Sequence, residues 1–257
     1  MSAGNAVARA RTSPSMRLAG VAVIGLALAL TVLQVAGLLV NPEALARLVA
    51  LDFTMYLDHT ERALAGGSFY LDRQLHGHYP ILTGDSYYPP TTMLLFAPFL
   101  VLPALLWWIL PLGIIAAVVV YWRPSLWGLV AIAGCVWWWR SVQIVVLGNP
   151  SMWVAAAVAA GTVIRWPLAL VILKPTLLPV AALGSDRRSF WLALGIIAMV
   201  SVPFGRQWVD YAHAALDSSV QWSYSLNDVP IVLIGVIAWL ASTRRPPLGV
   251  LSWRPAA

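Results

Sequence analysis

The sequence contains few charged residues and a single cysteine. Only 10% of its 257 residues are charged, whereas 60% are hydrophobic and the mean hydropathy is +0.79. A soluble domain needs far more charge to cover its surface, so this composition excludes one. The one cysteine, Cys135, excludes an intrachain disulfide framework and a multi-cysteine metal site. The composition therefore indicates a membrane protein.

The sequence also lacks a basic stripe, although its formal net charge is +6. The arginines flank apolar runs, as residues that set membrane orientation do. They do not form the continuous positive patch that nucleic acids require. Binding of nucleic acid is therefore not expected.

Long apolar runs fill most of the chain. They cover residues 18–40, 91–122, 126–147, 150–164, 167–183, 189–204 and 229–243. A membrane-spanning helix needs roughly 20 predominantly apolar residues. The pattern predicts an all-α, polytopic protein with one transmembrane domain over residues 1–257.

Proline interrupts two of these runs, which therefore do not fit a single straight pass. Three prolines break the run at 91–122, and Pro175 and Pro179 break the run at 167–183 next to Lys174. Broken backbone at membrane depth is tolerated only where protein or a wet cavity covers it. We expect a bent passage in the first case and a re-entrant hairpin in the second.

The basic residues orient this arrangement. With the tail at 1–17 in the cytoplasm, ten of the sixteen basic residues lie on the inner side. The loops at 41–90 and 205–228 then face outward and hold nine of the ten acidic residues. In an alternative topology, each broken run crosses the membrane twice as a hairpin. Arg123 and Arg165 then lie on the outer side, and the two acidic loops are again extracytoplasmic. Both topologies predict a polar site on the outer side.

The first outer loop opens with an amphipathic stretch. Residues Phe53 to Leu64 favour a short helix, which Gly66 and Gly67 end. We expect this helix to lie at the membrane surface. Asp52 directly precedes it, at a position where a carboxylate caps a helix by accepting from backbone N–H groups. On position alone, Asp52 is such a cap.

Four stretches in order give the chain a resemblance to a known family. They are DFTMY from residue 52, YYPP from 87, LGNPSMWVAAAVAAG from 147 and LALVILKPTLLPVAALGSDRR from 168. Together they resemble the polyprenyl-phosphate-mannose-dependent mannosyltransferases of glycosyltransferase family 87. That family consists of membrane enzymes of the GT-C superfamily, and the resemblance extends from about residue 17 to 243. It implies a GT-C-like transmembrane helix bundle with an interfacial helix in the first outer loop.

The resemblance implies a function for the outer site. Asp52 would be the base of an inverting transfer of a sugar, with mannose as the implied sugar, from a polyprenyl-phosphate donor to a lipid or glycan acceptor. It places Tyr56, Tyr88 and Asn149 among the residues that contact substrate. An interface anchor that touches no ligand is the alternative for Tyr88, because tyrosine is common at the headgroup level.

Two cations are predicted near membrane depth, where an unpaired charge is costly. Lys174 lies inside a proline-broken run, and Arg140 follows three tryptophans. Each is a candidate contact for the phosphate of a lipid-linked donor, although no family motif supports Arg140. The alternative is that both extend to the membrane interface as anchors.

A metal site is not expected. His76 and His78 lie near Asp72 and Asp85, but the pattern supplies no third ligand at a suitable spacing. We interpret this segment as a solvated loop, and the predicted reaction requires no cofactor.

Members of the family extend beyond the point where this sequence stops. The resemblance therefore implies a C-terminally short member, with a protein partner as one source of the missing helices. The other expected partners are the sugar donor, the acceptor and membrane lipids. The competing class is a non-catalytic membrane scaffold or a partner subunit in glycolipid assembly, which the composition does not exclude.

Overall fold

The computed structural model describes residues 18–22, 25–26, 29, 32–33, 36, 47–80, 82, 84–218 and 226–243. Within these ranges the chain is helical, and its only strand-like features are two isolated bridges, Tyr79 with Ser218 and Pro124 with Ser242. The predicted all-α class is therefore confirmed.

The longer helices share the apolar composition of the predicted runs, except for the two in the outer loops. They are α1 (Leu51–Leu64), α2 (Leu106–Trp122), α3 (Leu126–Trp137), α4 (Trp139–Leu147), α5 (Ser151–Gly161), α6 (Arg188–Ser201), α7 (Gly205–Leu216) and α8 (Val229–Leu240). Shorter helical pieces form much of the remaining chain, mostly in its proline-rich regions. They are Asp72–Gln74, Pro90–Thr92, Met93–Phe96, Ala97–Leu100, Trp166–Leu173, Pro175–Leu177, Leu178–Ala181, Ala182–Gly184 and Val202–Phe204.

Helix α5 is the centre of the bundle. Its sequence, SMWVAAAVAAG, is apolar on all sides and nearly all of it is buried. It packs against α2, α8 and the 3₁₀ segment Trp166–Leu173. A Cβ atom added to Gly235 of α8 would lie only 2.4 Å from the Cα atom of Ala159. The backbones of α5 and α8 therefore approach closely, as small residues allow.

Two of the apolar runs contain sharp breaks. Helices α3 and α4 meet at a 60° bend, where Trp138 is extended, so the run at 126–147 is two helices instead of one. In the run at 167–183, Lys174 leaves the helical region with φ −132° and ψ 84°, directly before Pro175. A residue before proline is disfavoured in the α conformation, which explains the break at Lys174.

Helix α1 begins earlier than expected. It starts at Leu51, and Ala50 is its N-terminal flanking residue, with a left-handed φ of 63° and no side-chain cap. Asp52 therefore lies inside the first helical turn, and its predicted N-cap position is wrong. The backbone N–H of Ala50 donates to Val146 O on α4 at 2.9 Å, which attaches the start of α1 to the bundle.

The two predicted outer loops are attached to each other. The side chain of Gln207 on α7 accepts from Phe69 N and donates to Gly67 O, each at 2.8 Å. Ser68 Oγ donates to Asp210 Oδ2 at 2.7 Å. The segment after α1 thus docks on α7.

Among the residues that the structure describes, one helical stretch, Arg188–Leu216, is long and apolar enough to cross a membrane, and the bent pair α3 and α4 would add a second if it forms one span. Large side chains of α6, including Trp191, Ile196 and Met199, are exposed. These features agree with membrane association. The multi-pass topology and its orientation stay predictions from the sequence.

Candidate functional site

The predicted site residues meet in one cluster, although they come from distant parts of the chain. Asp52 lies on α1, Tyr88 precedes the two prolines, Arg140 is on α4, Asn149 joins α4 to α5, and Lys174 lies at the break described above. Hydrogen bonds and ion pairs connect these five side chains through two further residues, Ser151 and Asp228.

Asn149 holds the carboxylate of Asp52. Its Nδ2 donates to Asp52 Oδ2 at 2.6 Å, and its Oδ1 accepts from Tyr88 OH and from Ser151 N, both at 2.9 Å. A backbone N–H can only donate, so the oxygen of the amide must face Ser151 and its nitrogen must face Asp52. The amide orientation is therefore determined by its surroundings.

Tyr88 is a hydrogen-bond donor in this arrangement. It is buried, and this burial, with the charge of Asp228 nearby, raises the pKa of its phenol well above the usual range. The phenol therefore keeps its proton. Its hydroxyl also lies 2.9 Å from Ser151 Oγ, which links the Asp52 side of the cluster to the Asp228 side.

Asp52 is only partly buried. Burial raises the pKa of its carboxyl above that of an ordinary aspartate, and the hydrogen bond from Asn149 and the charge of Arg140 partly oppose this effect. Within the described part of the chain, Asn149 is the one side chain that hydrogen-bonds the carboxylate of Asp52. A carboxylate oxygen is therefore left for a ligand.

Asp228 forms the buried half of the cluster. Its Oδ1 accepts from Arg140 Nε at 2.9 Å, and its Oδ2 accepts from Ser151 Oγ at 2.6 Å and from the ammonium of Lys174. The Asp228 side chain is fully buried. A buried carboxylate is tolerated when it is paired and hydrogen-bonded in this way.

Lys174 is compensated inside the protein. Its ammonium donates to Asp228, to Ser151 Oγ at 2.7 Å and to Tyr88 OH at 3.4 Å. An ammonium has three N–H donors, and these three oxygens can accept all of them. The buried lysine therefore needs no phosphate to stabilise it, and its predicted contact with a donor phosphate stays a prediction.

Tyr56 takes part through packing. It is buried, its ring meets that of Tyr88 edge-on with centroids 5.4 Å apart, and it stacks on Phe96 at 5.2 Å. Edge-to-face pairs of this kind fix ring positions. Tyr56 therefore positions Tyr88, and its predicted contact with substrate stays a prediction.

A pocket of about 300 Å³ lies beside the cluster. Its lining consists of Trp138, Trp139, Arg140, Gln143 and Asn227. Arg140 belongs to both the pocket and the cluster, whereas Asp52 and Lys174 do not line this pocket. A hydrogen-bonded chain through Asn149 and Tyr88 connects Asp52 with Lys174.

Sequence reasoning missed Ser151 and Asp228. Asp228 was counted among the acidic residues of the second outer loop, yet it directly precedes the apolar run at 229–243. A buried cation needs an acidic partner, and the acid that adjoins an apolar run is the one best placed to supply it. That rule would have paired Lys174 with Asp228. Ser151 lies two positions after Asn149 in one of the four stretches that carry the resemblance, a position that could have marked it.

His76 and His78, the histidines near Asp72 and Asp85, contact backbone carbonyl groups. The Nδ1 atoms of His76 and His78 lie 2.7 Å from Asp72 O and 3.2 Å from Asp217 O, respectively. Across the described ranges, no group of three or more side chains is arranged to hold a metal ion.

No protein-family model matches the sequence, and no curated protein or solved structure matches it either. Membership of the glycosyltransferase family thus stays a prediction from the four motifs. Any functional conclusion must rest on the geometry of the cluster.

Proposed function

We propose that this protein is a membrane-embedded glycosyltransferase in which Asp52 is the general base. The donor would be a sugar linked to a polyprenyl phosphate, with mannose as the sugar that the resemblance implies. The acceptor would be a hydroxyl group of a lipid or glycan on the extracytoplasmic side. Several transmembrane helices in a GT-C-like bundle would hold the site at the outer membrane surface.

One observation carries this proposal: residues chosen separately from the sequence lie in one connected cluster. Asp52, Tyr88, Asn149 and Lys174 belong to the four stretches that resemble the family, and they are linked by side-chain hydrogen bonds in the structure. Four unrelated interface anchors would have no reason to be connected. The convergence therefore supports a shared chemical role.

The reaction needs a proton acceptor and a good leaving group. The acceptor oxygen forms a bond to the anomeric carbon as the bond from that carbon to the phosphate oxygen breaks. The phosphate leaves with the electron pair, and Asp52 takes the proton of the attacking hydroxyl. Because attack and departure occur on opposite faces, the anomeric configuration inverts. The accessible oxygen of Asp52 supports its assignment as the base.

The cations have different positions relative to this reaction. Lys174 is buried against Asp228, whereas Arg140 lines the pocket. In the proposal, Lys174 fixes Asp228 and Asp228 fixes Arg140. Asn149 in turn holds Asp52. The proposal adds these positioning roles, and the predicted contacts of Lys174 and Asn149 with substrate stay predictions.

A second candidate is a membrane scaffold without catalysis. The complete internal pairing of Asp228 favours it, because that half of the cluster can serve stability alone. The two candidates differ in what they require of Asp52. A scaffold has no need for a proton acceptor there.

Replacing the base tests the proposal. Asp52→Asn keeps the size of the side chain but removes the proton acceptor, so transfer from the polyprenyl-phosphate sugar should fall roughly 10²–10⁴-fold. Expression and thermal stability should stay close to those of the parent. Radiolabelled sugar transfer in membranes measures the effect.

Asp58→Asn is the matched control, since Asp58 is an exposed residue of the same helix. Six positions at about 100° per residue place it on a different side of α1 from Asp52. Its transfer activity should match that of the parent. If Asp52→Asn transfers sugar as fast as the parent, Asp52 is not the base, and the non-catalytic scaffold becomes the better-supported function.

A further inference from the structure

The pocket beside the cluster combines aromatic walls with hydrogen-bonding groups. Two indole rings, two amide side chains and one guanidinium surround a volume of about 300 Å³. This volume is at the lower end of ligand pockets, which suits one or two rings better than a long chain. The pocket therefore fits a small, compact ligand.

The aromatic walls are available to a ligand. Trp138 and Trp139 are 48% and 55% exposed. The indole of Trp138 is fixed, because its Nε1 donates to Asn227 O at 3.1 Å across the bend between α3 and α4. An indole presents a flat apolar face beside a polar edge, which matches a sugar ring with its C–H face and its hydroxyl rim.

Arg140 is held in place from behind. Asp228 accepts from its Nε, and Asp228 is in turn bound to Ser151 and Lys174. Gln143 Oε1 lies 3.4 Å from the NH1 atom of the guanidinium. A planar guanidinium fixed in this way loses little entropy when a ligand binds. The buried cluster thus preorganises one wall of the pocket.

The charges of the cluster favour a neutral ligand. Arg140 and Lys174 carry two positive charges, and Asp228 and Asp52 carry two negative charges when ionised. These four groups therefore sum to zero. A ring with hydroxyl groups brings no charge of its own, so it leaves this balance unchanged.

We infer that this pocket binds a pyranose ring, with Trp138 and Trp139 against the ring face and with Arg140, Gln143 and Asn227 at its hydroxyl groups. Such a ring would lie next to the cluster that contains Asp52. The inference goes beyond the proposed reaction, because a carbohydrate can bind here even if Asp52 is not a base.

Saturation-transfer NMR on the purified full chain in detergent tests this site. The probes are the methyl α-glycosides of mannose, glucose and galactose, with inorganic phosphate in a parallel binding titration. At least one glycoside should bind both the parent and Asp52→Asn. Trp139→Ala should weaken that binding by about tenfold, the expected loss for an aromatic contact. Gln143→Ala should weaken it as well.

Trp127→Ala is the matched control, since Trp127 on α3 is 42% exposed and does not line the pocket. It should bind the glycoside like the parent. The inference is overturned if none of the three glycosides binds, if Trp127→Ala weakens binding as much as Trp139→Ala, or if phosphate alone binds in an Arg140-dependent way. Glycoside binding without sugar transfer would instead contradict the proposed reaction and leave this site intact.

Discussion

The two carboxylates of the cluster have opposite surroundings. Asp52 is partly exposed and, among the residues that the structure describes, receives one side-chain hydrogen bond, from Asn149. Asp228 is fully buried and pairs with Ser151, Lys174 and Arg140. A carboxylate with two cationic partners is held as a stable anion, whereas one that is partly desolvated and weakly paired can accept a proton. The surroundings of Asp228 suit a stabilising role, and those of Asp52 suit the role of base that we propose for it.

The largest expected effect is on stability, and it comes from Asp228. Asp228→Asn removes the counter-charge of the buried Lys174, so the free energy of unfolding should fall by about 3–5 kcal/mol. Thermal unfolding in detergent measures the loss. Asp52→Asn should lower the unfolding midpoint far less in the same assay, because Asp52 has no ion pair of this kind.

A double variant makes this result specific. Adding Lys174→Met to Asp228→Asn removes the uncompensated charge and should restore much of the lost stability. A double variant that is less stable than Asp228→Asn would show that Asp228 does not stabilise the fold through Lys174, and the contrast between the two carboxylates would then be wrong.

A smaller effect is expected on the pH dependence of transfer. Burial raises the pKa of Asp52 above that of an ordinary aspartate. On acidification, the proposed base should therefore become protonated, and transfer should be lost, at a higher pH than for an ordinary aspartate. Asn149→Ala removes a hydrogen bond that favours the ionised form, so the pKa of Asp52 should rise further. The acid limb of kcat/KM should then move upward by about one to two pH units.

Asp58→Asn supplies the reference for that experiment, because it should leave the acid limb where the parent has it. An Asn149→Ala variant with reduced activity but an unshifted acid limb would mean that Asn149 serves only the fold. The residues around Asp52 would then contribute to stability alone, as we expect for the residues around Asp228.

The smallest expected effect concerns His59, which lies on the same helix as Asp52. Burial, with a contribution from Arg62, lowers the pKa of His59 from 6.5 to about 4. Between these values the unfolded chain binds the proton and the folded chain does not, so stability falls as the pH drops through this range. His59→Phe should lose less stability than the parent between pH 6.5 and pH 4, as measured by unfolding midpoints.

His76→Phe is a suitable comparison, since His76 is exposed in the first outer loop. It should retain the acid sensitivity of the parent. Identical pH profiles for His59→Phe and the parent would show that the packing of α1 does not depend on a neutral His59.

The sequence located α1 and the proline-broken region around Lys174 because both have local signals. Helix α1 follows from an amphipathic pattern that ends at Gly66, and the break follows from Pro175. The bend between α3 and α4 has no such signal, since neither proline nor glycine occurs at Trp138. Its extended backbone depends on tertiary contacts, such as the bond from Trp138 to Asn227.

In the site, too, some features have a local sequence signal and others depend on tertiary contacts. Asp52, Tyr88 and Lys174 were identifiable because each is a polar residue in an unusual local context. Their pairing was not, because Lys174 and Asp228 are separated by 54 positions and Asn149 and Asp52 by 97. Contacts over such distances are set by helix packing, which no local pattern encodes. The sequence therefore predicted members of the cluster but not their roles.

The close approach of Gly235 and Ala159 has an electrostatic consequence. Ser151 and Asp228 stand at the starts of α5 and α8, and the contact between Gly235 and Ala159 lies about two turns further along both helices. The two helices therefore run parallel, and their macrodipoles point the same way. The positive ends of both dipoles lie at the carboxylate of Asp228. Asp228 is thus an anion held by the backbone as well as by its two cations.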